Sequence, residues 1–78
     1  MLQMKQRVLR GGNIMTMMAI FKNHENGELR KLTKNNGKVY YEGINAKGER
    51  IIDTYTILTF EEAIMALIKG GYTLEYIG

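Results

Sequence analysis

Cysteine, proline and tryptophan are absent from this chain, and histidine occurs once, at His24. Without cysteine there is no disulfide framework and no thiolate metal site, a composition that fits a reducing cytoplasm. With one histidine, a histidine-centred triad would have to be built on a lone residue in an expected exposed turn, so His24 reads as a solvated loop residue. The acids Glu25, Glu28, Glu42, Glu49 and Asp53 are scattered without the spacing of a calcium loop. Gly11-Gly12 and Gly70-Gly71 lack the Lys-Ser/Thr that follows a phosphate loop. The chain is therefore expected not to be an enzyme and to hold no metal or cofactor.

Long apolar runs are missing too. The longest, Ala63 to Ile68, is six residues, against the ~20 that cross a bilayer. No internal repeat, low-complexity tract or linker divides the 78 residues, which is the length of one small domain with a modest core. Dimerisation or a bound partner would add to its stability.

Charge is unevenly placed. The formal net charge is +3, which by itself would raise the prospect of a nucleic-acid partner. Lys5, Arg7 and Arg10 lie before Met15 and no acid does, so from Met15 onward basic and acidic residues balance at eight each. Arg10-Gly11-Gly12 can be encoded AGAGGAGGN, a purine-rich bacterial translation signal a short gap before the codon of Met15. Residues 1–14 are accordingly read as a leader, untranslated in vivo or disordered, and 15–78 as the folded domain.

Within that domain the period is first two. Met15 to Lys22 reads as a strand ending in the turn Asn23 to Gly27. Glu28 to Lys34 leads into Asn36-Gly37, the strongest short-range hairpin signal, because a type I′ turn needs positive φ at both central residues. Lys38 to Ile44 follows, then the turn Asn45 to Gly48 and a β-branched segment, Arg50 to Leu58. A two-residue loop at Asn36-Gly37 pairs Lys34 with Val39, Leu32 with Tyr41 and Lys31 with Glu42. The same loop at Lys47-Gly48 would set Glu42 opposite Asp53, so a longer loop or a bulge is expected there, with Gly43 the candidate irregularity.

The period then becomes 3.6. Thr59-Phe60-Glu61-Glu62 is a capping box, Phe60, Ile64, Leu67 and Ile68 make one apolar stripe with Ala63 beside it, and Gly70-Gly71 stops the helix. Tyr72 to Ile77 alternates again, Tyr72, Leu74 and Tyr76 against Thr73, Glu75 and Ile77. The expected fold is α+β: an antiparallel meander of four strands, one helix packed on the sheet and a C-terminal fifth strand, ββββαβ. That last strand can pair parallel with the fourth, through a right-handed crossover, or with the first.

Two constellations carry functional readings. Tyr40, Tyr41, Tyr55, Tyr72 and Tyr76 all fall on expected strands, and a single helix covers one sheet face, so some of these rings should stay at the surface as partner-binding residues. Met15, Met17 and Met18 would add adaptable contact, although at least two of them are better explained as core. Alternatively, Arg30, Lys31, Lys34 and Lys38 around the second turn, with Tyr40 and Tyr41 following, could grip a single-stranded nucleic acid. The first reading is preferred: a small cytoplasmic binding or regulatory protein acting through protein contacts, of the kind a phage or mobile-element accessory gene encodes to inhibit or redirect a host protein, and able to form a homodimer through an exposed strand edge or the uncovered face of the sheet. A small-molecule pocket ranks last, because so small a core spares little volume.

Overall fold

The computed structural model of the chain describes residues 7–8 and 15–78. One antiparallel sheet holds β1 (Arg7–Val8), β2 (Met15–Lys22), β3 (Leu29–Asn35), β4 (Lys38–Ile44), β5 (Arg50–Thr56) and β6 (Thr73–Ile77), and α1 (Phe60–Lys69) stands between β5 and β6. From β2 onward this is the expected ββββαβ order. β1 is a two-residue bridge onto Met15 and Thr16; the rest of the leader lies outside the described residues.

β2 to β5 lie side by side in chain order, each antiparallel to the next. Of the two placements open to the last strand, the structure takes the pairing with the first meander strand: β6 runs antiparallel to β2, from Ala19 opposite Ile77 to Lys22 opposite Thr73. β2 therefore has β3 on one side and β1 and β6 sharing the other, while among the described residues β5 pairs with β4 alone. The tight turn takes the predicted form, with Asn36 at φ 54° and Gly37 at φ 78°, and it sets Lys34 opposite Val39, Leu32 opposite Tyr41 and Lys31 opposite Glu42.

The helix starts where its cap dictates. The Thr59 hydroxyl accepts from the Glu62 amide at 3.1 Å, and the Glu62 carboxylate accepts from the Thr59 amide at 2.9 Å. At the other end Gly71, at φ 94°, lets its amide reach the Ile68 carbonyl and the Tyr72 amide reach the Leu67 carbonyl, the paired bonds of a Schellman stop. Thr59→Ala should lower stability by about 1 kcal/mol with the native secondary structure retained, as checked by urea unfolding followed by circular dichroism.

Phe60, Ala63 and Leu67 are the buried helix residues, and they close over Met17, Ala19, Phe21, Leu32 and Val39. Ile64, Leu74 and Ile77 pack at the margin. Ile68, expected in the same stripe, is 48 % exposed, because at the end of a short helix it has rotated past the sheet it would have covered. Met17 is core and Met18 is half-buried on the opposite face; the Met15 side chain lies outside the described residues.

The expected alternation of the last strand is also corrected. The pairing shifts between Ile20 and Phe21, so that Ile20 faces Tyr76 and Phe21 faces Leu74, leaving Glu75 as the extra residue of a bulge. A bulge breaks the two-residue period, which sends Leu74 and Ile77 to the core and Tyr76 to the open face.

Candidate functional site

The five tyrosines divide between the two faces. Tyr41 and Tyr72 are half-buried on the helix side and surround Arg30. Arg30 is 9 % exposed; its Nε donates to the Tyr41 hydroxyl at 3.1 Å, Nη1 to the Leu29 carbonyl at 3.0 Å and Nη2 to Glu28 at 2.9 Å. The guanidinium carbon stands 5.1 Å from the centre of the Tyr72 ring, close enough for a cation–π contact. Burial presses against its charge, but the hydrogen bonds to Glu28 and Tyr41 outweigh that and hold its pKa above the ordinary arginine value. Gly43, opposite Arg30 in the register, leaves the space the guanidinium crosses: a Cβ there would lie 3.1 Å from Nη1 and 3.0 Å from Ile52.

Tyr40, Tyr55 and Tyr76 lie on the face without a helix. Tyr40 and Tyr55 are cross-strand partners whose rings meet edge to face at 5.0 Å and 65°. They continue the row that begins with Met18 and Thr33. Tyr76 stands opposite Ile20, with β2 and β3 between it and the Tyr40–Tyr55 pair.

The basic residues do not form one surface. The register places Arg30 and Lys34 on the helix face and Lys31 and Lys38 on the other, and Arg30 is consumed by the contacts above. Lys31 stands 4.0 Å from Glu42. Lys38 lines a shallow depression with Asn35, Asn36, Tyr40 and Tyr55. His24, in the first turn, is exposed as expected and has a partner, the Glu75 carboxylate at 3.1 Å.

Glu42 does stand opposite Asp53, the like-charge pair expected to be avoided. The irregularity anticipated near Gly43 relieves it instead of preventing it. Gly43 faces Ile52 and Ile44 faces Arg50, so Ile51 is left over as a bulge in β5. In a regular strand Arg50 and Asp53, three apart, would point to opposite faces; the bulge returns them to one face. Arg50 then reaches Asp53 at 3.3 Å and Glu42 at 3.4 Å, placing a cation between the acids.

Among the strands whose burial is described, β5 is the least covered. Tyr55 is 65 % exposed, Ile51 49 % and, just past the strand, Ile57 is fully exposed. Leu58 is exposed beside them. The helix lies over β3 and β6, and between it and β5 runs an open groove of about 300 Å³, lined by Tyr41, Thr56, Leu58, Ala63, Ala66 and Leu67. Ile51, Ile57 and Leu58 were not singled out by sequence. The available signal was the β-branched density of Arg50 to Leu58 without a consistently polar alternate, but its meaning depends on which strand is the sheet edge.

Among the described residues no three His, Asp or Glu side chains gather as a metal site, and no helix is long and apolar enough to cross a membrane. No protein-family model, curated protein or solved structure matches the chain.

Proposed function

We propose that the chain is a non-enzymatic binding protein whose contact surface is the β5 side of the sheet, used against a protein partner. The observation that supports this is the combination on β5 of an unpaired backbone edge with exposed Ile51, Tyr55, Ile57 and Leu58. Edge strands are commonly blunted by lysine, proline or a covering element. β5 has no lysine or proline, its bulge is confined to Ile51 near its start, and its one central charge, Asp53, is paired with Arg50. Addition of a strand to such an edge supplies backbone hydrogen bonds, and side chains at alternate positions supply selectivity. The Tyr40–Tyr55 pair offers rigid aromatic area next to it. A host protein bound and blocked in this way remains the biological setting proposed for an accessory gene product.

The test combines sedimentation of the full chain over a wide concentration range with binding to proteins captured by it and then purified. Tyr55→Lys and Ile57→Lys introduced together should weaken whichever association is found at least tenfold, with the native circular dichroism spectrum retained. A monodisperse monomer with no partner sensitive to these two changes would remove the proposal. Nucleic-acid binding would show instead as a steep salt dependence that flattens when Lys31, Lys34 and Lys38 are replaced by alanine.

A further inference from the structure

The hydrogen-bonding phase of β5 can be followed from two turns. Asn35 and Lys38 flank the type I′ turn and form a hydrogen-bonded pair. Paired and unpaired positions alternate along an antiparallel ladder, so on β4 the even-numbered residues bond to β3 and the odd-numbered ones to β5. The bond from the Asn45 amide to the Glu49 carbonyl, at the far end of the same hairpin, has that phase. On β5 the residues opposite Val39, Tyr41 and Gly43 are Thr56, Thr54 and Ile52; these spend their backbone groups on β4. Asp53 and Tyr55 direct theirs outward, away from the sheet.

Resting on the reading of β5 as a protein-binding edge, we infer that its partner is a second copy of the chain, joined β5 to β5 in antiparallel fashion about a two-fold axis through Thr54. Two identical antiparallel strands with matching faces are related by an axis normal to the sheet, which passes through a residue that faces itself, so few registers exist. An axis through Asp53 opposes two carboxylates at the dyad, which is destabilising. One through Ile52 leaves Tyr55 and Ile57 level with the β4–β5 turn, and one through Tyr55 sets the Asp53 carboxylate beside Ile57. The axis through Thr54 pairs Asp53 with Tyr55 of the second copy, twice, so all four outward-directed residues exchange backbone hydrogen bonds and each carboxylate faces a ring with a hydroxyl donor. It also brings the exposed Ile57 of each copy toward the bulged end of the other's β5, where Ile51 is exposed. Residues 15–78 balance eight basic against eight acidic residues, so the net charge of +3 comes from Lys5, Arg7 and Arg10, which precede β2, and not from the segment that carries β5.

Thr54 is exposed and the chain has no cysteine, so the register can be read by single thiols in the full chain. At the dyad the two Thr54 residues form a non-hydrogen-bonded pair with Cα atoms about 4.5 Å apart, inside the range a disulfide spans. Residues 53 and 55 of one copy stand diagonally from their own counterparts, at about 7–8 Å. Wild type should sediment with twice its 8.9 kDa mass as concentration rises. Thr54→Cys should oxidise to a covalent dimer at least tenfold faster than Asp53→Cys or Tyr55→Cys.

A dimer in which either of the other two cysteines links faster overturns the axis through Thr54. A monomer at every concentration that still binds a different, purified protein through Tyr55 and Ile57 overturns the second copy and leaves the edge reading standing. A monomer without any such binding overturns both.

Discussion

Phe60→Ala should leave the chain near the limit of folding. The ring is 1 % exposed and is, with Phe21 and Leu32, one of the largest fully buried side chains. It sits at the first position of a ten-residue helix, a length that is marginal alone in water, so α1 persists because its apolar side is buried against the sheet. Removing a buried phenyl group costs about 3–5 kcal/mol through lost transfer energy and the cavity left behind. A domain of this size is stable by roughly 4–10 kcal/mol, so from about a third to all of the total is at stake. With a urea dependence of about 1 kcal/mol per molar for a small protein, the unfolding midpoint should fall by about 3–5 M. A fall of under 1 M would mean that the helix is held by something other than this ring. Since α1 carries the chain from β5 back to β6, its loss would also detach the strand that closes one side of β2.

Much of this was legible in the residues because it is local. The type I′ turn follows from Asn36-Gly37, and once its two-residue length is fixed the β3–β4 register is arithmetic; the helix start follows from Thr59 and Glu62, and its end from Gly70-Gly71. What was not legible depends on neighbours far along the chain. Alternation assigned Tyr76 to the face of Leu74, and a single extra residue at Glu75 moved it to the other. The Glu42–Asp53 opposition was judged as a pair, whereas the structure resolves it as a triad, because a bulge at Ile51 brings Arg50 to the same side. The exposed aliphatic residues of β5 became a candidate surface only when β6 was seen to pair with β2, which leaves β5 as an edge. Residue type located the tyrosines as candidates, but which of them face outward was decided by strand register and by Arg30.

Arg30→Ala should be the costliest change among the charged residues, at about 2–4 kcal/mol. The side chain is not a surface cation: it fills the space above Gly43, stacks on Tyr72 and satisfies the Tyr41 hydroxyl, the Leu29 carbonyl and Glu28. Truncation removes the packing and strands three acceptors at once, and groups left without a partner when buried cost more than the bond itself contributed. The cost stays below that of breaking a fully buried ion pair, because Glu28 retains 28 % side-chain exposure and can turn to water. Arg30→Lys should recover little of it, since an ammonium on a flexible stem reproduces neither the fork nor the stacking. Arg30→Met should cost less than alanine, because it restores apolar volume over Gly43 and Tyr72. Guanidinium pKa is raised on folding, so its contribution is fully present below the already strongly basic unfolded value and is lost only as pH rises through the still higher folded one; the alanine effect should therefore not fade through titration of Arg30 in the neutral range. Urea unfolding of the three variants separates the contributions: methionine equal to wild type would show that volume alone matters, and alanine within 1 kcal/mol of wild type would show that the network around Arg30 contributes nothing to the fold.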